Sequence, residues 1–176
     1  MVIGLDNELV QIVSEACKGD VSAFAKLYET VYKDLYYCAL AKLGNPDDAA
    51  DAVSDAVLDA YTGIKKLKNP ESFRVWIFKI LIRKINKRYK EYSDFRGNRT
   101  DIDSEEGCAE QTSPDLSLVE VLESFGRLTK PEREVVSLSI ISGLSGEEIS
   151  QITGINPSTV RSHLSRAKAK LREEYL

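Results

Sequence analysis

The sequence predicts an all-α fold: two small helical domains joined by a flexible acidic linker, the second domain containing a helix-turn-helix. Three observations predict it. Apolar residues recur at threes and fours through most of the 176 residues, and no useful length alternates with the period of two that a half-buried strand requires. Asn-Pro occurs three times, at Asn45-Pro46, Asn69-Pro70 and Asn156-Pro157. Asparagine caps a helix and proline suits its first position, where the missing N–H would be unpaired anyway, so each pair reads as a helix start. Residues 96–114, RGNRTDIDSEEGCAEQTSP, break the periodicity with a polar, acidic run holding two glycines and a proline, which is the composition of a tether. The boundaries are therefore 1–95 for the first domain, 96–114 for the linker and 115–176 for the second domain.

Taken in order, Phe24, Leu27, Tyr28, Val31, Leu35, Cys38, Ala39 and Leu43 form one apolar stripe that ends at Gly44. After Asn45, Ala49/Ala50, Val53, Val57 and Ala60/Tyr61 share a side, and the aspartates 47, 48, 51, 55 and 59 lie mostly opposite. From Phe73 to Ile82 the segment after Pro70 is apolar nearly all round, which argues for burial. Trp76 lies inside it and reads as core packing ahead of a strand-separating wedge, since its neighbours are apolar on all sides. Beyond it, Ile85, Tyr89 and Tyr92 keep a narrow apolar stripe between basic residues. From Asp115 the helical pattern resumes to the end.

Composition excludes several classes of function. The chain is 43% hydrophobic and 30% charged, as soluble globular proteins are. No apolar run reaches membrane-spanning length, and the opening MVIGLDNELVQIVSEACKGD lacks the basic n-region of a secretory signal. Cys17, Cys38 and Cys108 are odd in number and far apart, without metal-ligand spacing, and read as reduced cytoplasmic thiols. His163 is the one histidine and has no partner pattern for nucleophilic or metal chemistry. The expectation is a protein that is no enzyme and needs no cofactor or metal.

The net charge of −4 hides a segregation of sign. Residues 79–99 hold eight basic and two acidic residues, and 101–120 hold seven acidic and no basic ones. Five basic residues near the end (Arg161, Arg166, Lys168, Lys170 and Arg172) share a run with no acid among them. Blocks of this kind imply different partners for different segments.

The last segment, GLSGEEISQITGINPSTVRSHLSRAKAKLR, has the form of a helix-turn-helix. Ser145 with Glu148 makes a capping box, and Ile149 and Ile152 supply the buried side of the first helix. Gly154 ends that helix in the left-handed conformation that glycine alone adopts without steric cost. The next helix starts at Asn156-Pro157 and should bury Val160, Leu164, Ala167 and Leu171. Ser150, Gly154 and Val160 have the spacing that lets two helices approach, turn and cross. Ser158, Thr159, Arg161, Ser162, His163, Ser165 and Arg166 are then the candidates to face base edges and phosphates in a major groove, with Lys168, Lys170 and Arg172 extending the charge. The bland reading of the same face is a solvated amphipathic helix.

The segments GDVSAFAKLYETVYKDLYYCALAKLGNPDDAADAVSDAVLDAY, NPESFRVWIFKILIRKINKRYK and LTKPEREVVSLSIISGLSGEEISQITGINPSTVRSHLSRAKAKLRE together resemble the extracytoplasmic-function (ECF) sigma factors of bacterial RNA polymerase, in the family order of region 2, linker and region 4. The resemblance implies roles. Asp47, Asp48, Asp51, Ser54, Asp55 and Leu58 fall where such factors dock on the clamp helices of the polymerase core. An acidic face meeting a basic coiled coil would steer association and fix register; a merely solvated acidic face is the alternative. Lys65, Lys66 and Lys68 lie in the loop before Pro70, where the family captures an unpaired base of the −10 element. Arg83, Lys84, Lys87, Arg88 and Lys90 would hold the phosphates of the melted strand beside aromatic residues. The second domain would read the −35 element and meet the flap of the core. The sequence departs from the family at Ser54, where glutamine is usual, at Val57, where an aromatic is usual, and at Asp59, where a basic residue is common. Arg83 and Lys87 stand where asparagine and aspartate often occur.

The expected function is that of an alternative sigma factor, with core polymerase and promoter DNA as partners and no membrane insertion. An anti-sigma factor is a further partner the resemblance allows. Nineteen tether residues would span ~65 Å fully extended, close to two turns of duplex at ~34 Å each. Two alternatives stay open: a stand-alone helix-turn-helix regulator, which would bind duplex tightly without polymerase, and a polymerase-binding decoy or adaptor, which would never use its basic helix on DNA.

Overall fold

The structure, a computed structural model, describes residues 3–96 and 123–172, and every described element is helical. Cys108 and the proposed linker beyond Arg96 lie outside the described residues. The elements are α1 (Ile3–Cys17), α2 (Val21–Leu43), α3 (Pro46–Gly63), α4 (Phe73–Arg96), α5 (Lys130–Ile140), α6 (Gly146–Thr153) and α7 (Pro157–Arg172). Short 3-10 turns at Ile64–Lys66 and Pro70–Ser72 lead into α4, and one at Phe125–Arg127 precedes α5.

Local chemistry sets the ends. Asp20 accepts a hydrogen bond from the Ala23 amide at the start of α2, and Gly44 closes that helix at φ 69. Asn45 accepts from the amides of Asp47 and Asp48, so the first orphan N–H groups of α3 are satisfied by the residue before Pro46. Asn69 behaves differently from the other two Asn-Pro pairs: it caps a 3-10 turn, and the α-helix proper begins at Phe73.

The first unit packs α1–α4 around Leu27, Val31, Leu35, Val53, Phe78, Leu81 and Ile85, all at most 2% exposed. α3 buries mostly alanine (Ala49, Ala52, Ala56 and Ala60), which lets its neighbours approach closely. Tyr28, read from the sequence as part of the buried stripe, is instead exposed, and so are Ala50 and Tyr61. The apolar arc of α2 is narrower than its sequence, and the tyrosine falls on its outer edge.

The second unit packs α7 across α5 and α6, with Phe125, Leu128, Val136 and Ala167 buried together. Val160 is fully buried, as its position in the motif requires, while Leu164 and Leu171 are half-buried. The two units also meet. α2 packs on α5, and α4 packs on α6, so Val135, Leu138, Leu144, Ile149 and Ile152 share one continuous apolar cluster with the first unit. This explains why α4 is apolar nearly all round at its start: one side of Phe73–Ile82 faces α2 and α3, another faces α6. Trp76 is half-buried against this cluster, its ring 6.2 Å from that of Phe73.

Candidate functional site

The helix-turn-helix is built by interactions that each use a neighbouring residue. Ser145 Oγ accepts from the Glu148 amide at 3.2 Å, and the Ser145 amide donates to Glu148 Oε2 at 2.8 Å, closing the capping box. Gly154 sits at φ 75 and its N–H donates to the Ser150 carbonyl. Ser150 does more than stay small: its hydroxyl donates to the Ile155 carbonyl at 2.6 Å and pins the turn. Asn156 Oδ1 accepts from both the amide (3.0 Å) and the hydroxyl (2.8 Å) of Ser158, which fixes the first turn of α7.

This scaffold leaves Ser158, Thr159, Arg161, Ser162, Ser165, Arg166 and Lys168 exposed, with His163 half-buried. Five of them (Ser158, Arg161, Ser162, Ser165 and Arg166) share one open, outward patch of α7. Arg166 is steadied on the helix by Nε donating to the Ser162 carbonyl at 3.3 Å and by its Nη2 lying 3.2 Å from His163 Nδ1. Among the described residues no ion pair engages Arg161, Arg166 or Lys168. The face is thus cationic, ordered and free to meet an anion. Lys170 is turned inward instead, with Nζ 2.7 Å from Glu132 Oε2. Glu132 is 3% exposed, and its carboxyl is held down to about 2 by the Lys170 hydrogen bond and by the Thr129 amide.

The acidic face of α3 and the basic face of α4 lie side by side. Asp47, Asp51, Ser54, Asp55 and Leu58 are exposed and Asp48 is half-buried. Arg88 reaches into this row, its guanidinium nitrogens 3.7 Å from Asp48, 3.6 Å from Asp51 and 3.6 Å from Asp55. Its Nε is buried without a hydrogen-bond partner. Lys84 Nζ is 2.7 Å from Asp59 Oδ2, and the Tyr92 hydroxyl donates to Asp48 at 2.9 Å. Of the basic candidates on α4, Arg83, Lys87 and Lys90 stay exposed, Lys87 with a loose pair to Glu91 at 3.7 Å. Lys65, Lys66 and Lys68 are exposed around the turn after α3. The structure therefore brings together Arg88 and Lys84 with the aspartates, groups to which the sequence assigned separate partners. The outward α7 residues take part in none of these pairs.

Sequence reasoning missed the seam between the units. Cys38 is fully buried there, its Sγ 3.1 Å from Ser142 Oγ and 3.5 Å from the Ser137 carbonyl. Burial pushes its thiol up to about 12. Arg74 Nη2 donates both to Asp34 Oδ2 at 2.9 Å and to the Ser142 carbonyl at 2.7 Å. Nothing local in α2 or α4 marks these residues as interfacial. Among the described residues no helix is long and apolar enough to cross a membrane, and no cluster of potential metal ligands occurs.

Comparison with known proteins finds two family matches in the chain. Residues 27–94 match the sequence profile of Sigma-70 region 2, and residues 118–171 match that of Sigma-70, region 4. The RNA polymerase sigma factor NccH of Alcaligenes xylosoxydans xylosoxydans is 27% identical over 169 residues, covering 91% of this chain and 90% of the relative. The ECF RNA polymerase sigma factor SigW of Bacillus subtilis is 26% identical over 92% of this chain and 94% of its own length. Among solved structures, the sigma factor RpoE of Bartonella quintana, crystallised with the anti-sigma factor NepR, superposes with a TM-score of 0.72 at 24% identity, over 87% of this chain and 96% of that one. That superposition shows the shared fold.

Proposed function

The chain belongs to the extracytoplasmic-function group of RNA polymerase sigma factors, and we propose how its surfaces divide the work of such a factor. It is an alternative sigma factor that binds core polymerase and directs initiation at particular promoters. In this reading α7 enters the major groove of the −35 element, with Arg161 and Arg166 on base edges and phosphates and Lys168 on the backbone. The lysines 65, 66 and 68, with Arg83, Lys84, Lys87 and Arg88, take the melted −10 strand, where charge tracks phosphates and aromatic rings stack on bases. The exposed aspartates of α3, with Ser54 and Leu58, dock on the basic clamp helices of the core, and the second domain meets the flap. Residues 96–114 join the two domains. The factor works in the cytoplasm and leaves the chemistry to the polymerase. The anti-sigma factor bound to its structural relative RpoE supports an anti-sigma partner here too.

The observation that carries this reading is the outward α7 face: Arg161 and Arg166 are exposed and, among the described residues, unpaired with acid, on a scaffold fixed at Ser150, Gly154 and Asn156. Run-off transcription with sigma-free bacterial core polymerase, on fragments that include the gene's own upstream region, tests it. Discrete transcripts that need the protein, and that vanish with Arg161→Glu or Asp51→Lys, are the expected result. Tight duplex binding without transcripts would identify a stand-alone regulator. Core binding without transcripts would identify a decoy.

A further inference from the structure

The segment 64–69 between α3 and α4 carries Lys65, Lys66 and Lys68. It is closed by a 3-10 turn in which the Leu67 amide donates to the Ile64 carbonyl at 2.9 Å. One 3-10 turn has poor hydrogen-bond geometry and holds little by itself, so the shape of this loop is set by what surrounds it.

The end of α1 supplies most of that setting. It packs on both 3-10 turns that bracket the loop. Cys17 Sγ donates to the same Ile64 carbonyl at 3.3 Å and stands 3.9 Å from the Leu67 carbonyl. Burial pushes this thiol up from its ordinary value, which keeps the proton that the bond needs. Two residues on, the end of Lys65 lies across Gly19: a Cβ there would meet Lys65 Cε and Nζ at 3.4 Å. From α4 the ring of Trp76 comes up against Gly63, where a Cβ would stand 3.4 Å from Cζ2. At the far end Asn69 Oδ1 accepts from the Glu71 amide at 3.1 Å, and its carbonyl accepts from the Ser72 hydroxyl at 2.7 Å. The result is a sorted loop, with Ile64 buried, Leu67 half-buried and the three lysines exposed.

We propose that the end of α1 sets the shape of the loop that takes an unpaired base of single-stranded DNA: Cys17 is a positioning residue for that capture, and Gly19 is the bed along which Lys65 is aimed. The inference rests on the reading of Lys65, Lys66 and Lys68 given above. α1 lies outside residues 27–94, the part of the chain matched to region 2, and in this proposal it touches no base. It acts through the carbonyls of Ile64 and Leu67. A base is gripped tightly by a loop that already has its bound shape, because ordering the backbone at the moment of binding would consume part of the interaction energy. A thiol suits the task. It is small and apolar enough to sit half-buried under the loop, and it still offers one donor to a turn carbonyl that has a second lone pair to fill.

Holoenzyme assembled from the full-length protein and sigma-free bacterial core polymerase tests the proposal. The probes are a short fluorescent oligothymidylate and three versions of it with adenine, cytosine or guanine at the central position. Cys17→Ala should weaken binding of the preferred oligonucleotide about fivefold, the worth of one hydrogen bond, and should flatten the preference among the four. Cys17→Ser keeps a donor and should restore most of both. Hydrogen exchange at the Leu67 amide of the free protein should quicken in the alanine variant and not in the serine variant, and affinity for core should stay the same in both. If Cys17→Ala changes neither affinity, preference nor Leu67 exchange while Lys66→Ala with Lys68→Ala weakens binding, the end of α1 is packing alone, and the reading of the loop stands without it. If the lysine pair is also without effect, that reading falls too. Equal losses in the alanine and serine variants, or a loss of core affinity alongside, would mark a general structural defect and overturn the proposal.

Discussion

Lys42 Nζ and Glu134 Oε1 stand 2.6 Å apart across the seam between α2 and α5, with 8% and 18% of their side-chain surfaces exposed. The pair is 92 positions apart in the chain, and it joins the two units at a place where water is nearly excluded. The Tyr89 hydroxyl donates to the carbonyl of the same Lys42, so the residue is held at both its backbone and its ammonium.

A buried pair contributes most when it is broken on one side only, because the remaining charge is stranded. Glu134→Leu alone is expected to cost about 3 kcal/mol, and Lys42→Met with Glu134→Leu to cost far less, since the apolar pair needs no counter-charge. Urea denaturation of the two single variants and the double variant checks this. Additive losses would show the pair to be energetically uncoupled.

The seam also buries Cys38, which gives it a chemical reporter. With its thiol pushed up to about 12 by burial, Cys38 should react with a disulfide reagent on the order of a hundredfold more slowly than it does in urea, because the thiolate is the nucleophile. If the two units read two promoter elements about two turns of duplex apart, as proposed, they must part to do so. Core polymerase is therefore expected to raise the rate in a chain carrying Cys17→Ala and Cys108→Ala. A rate unchanged by core would mean that the units stay docked.

Glu132 ties the start of α5 to α7, accepting from the Thr129 amide at 2.9 Å and from Lys170 at 2.7 Å. Its carboxyl lies at about 2 against an ordinary 4.5. A group whose folded value is depressed contributes stability that is fully present above its unfolded value and is lost as pH falls toward the folded one. Glu132→Gln should thus cost about 2 kcal/mol at neutral pH, with the gap to wild type narrowing between pH 4.5 and about 2. Thermal melts across that range measure it, and a gap independent of pH would contradict the assignment.

Arg88, shared among Asp48, Asp51 and Asp55, is predicted to be partly withheld from DNA in the free protein. Exposed pairs of this kind are worth little each, about 0.2–1 kcal/mol, so the effect should be a few-fold. Asp51→Asn with Asp55→Asn is expected to raise affinity for a single-stranded −10 oligonucleotide at low salt. The excess over a charge-matched control, Glu29→Gln with Glu147→Gln, should vanish in Arg88→Ala. An equal gain in the control would reduce the effect to net charge.

Much of the site was legible because its determinants are neighbours in the chain. Ser145 and Glu148, Ser150 and Ile155, Gly154, and Asn156 and Ser158 act within five residues of one another, so their types and spacing announce the turn before any packing is known. The three Asn-Pro pairs mark helix starts for the same reason, although Asn69 caps a 3-10 turn first. Tyr28 shows the limit of periodicity: a residue at the edge of an apolar stripe can fall on either side of the buried arc, and three-dimensional packing decides which.

By itself the sequence determined the helices, their caps, the helix-turn-helix and the segregation of charge along the chain. These follow from backbone groups that need partners close by and from side chains that repeat with the helical period. The tertiary structure alone decided what each charge meets. It set Arg88 among aspartates on another helix, turned Lys170 inward to Glu132 while Arg161 and Arg166 met no acid among the described residues, and closed Lys42 on Glu134 across the seam. A charge acts through space with a strength fixed by distance and by the water between, and neither quantity is written in the order of residues.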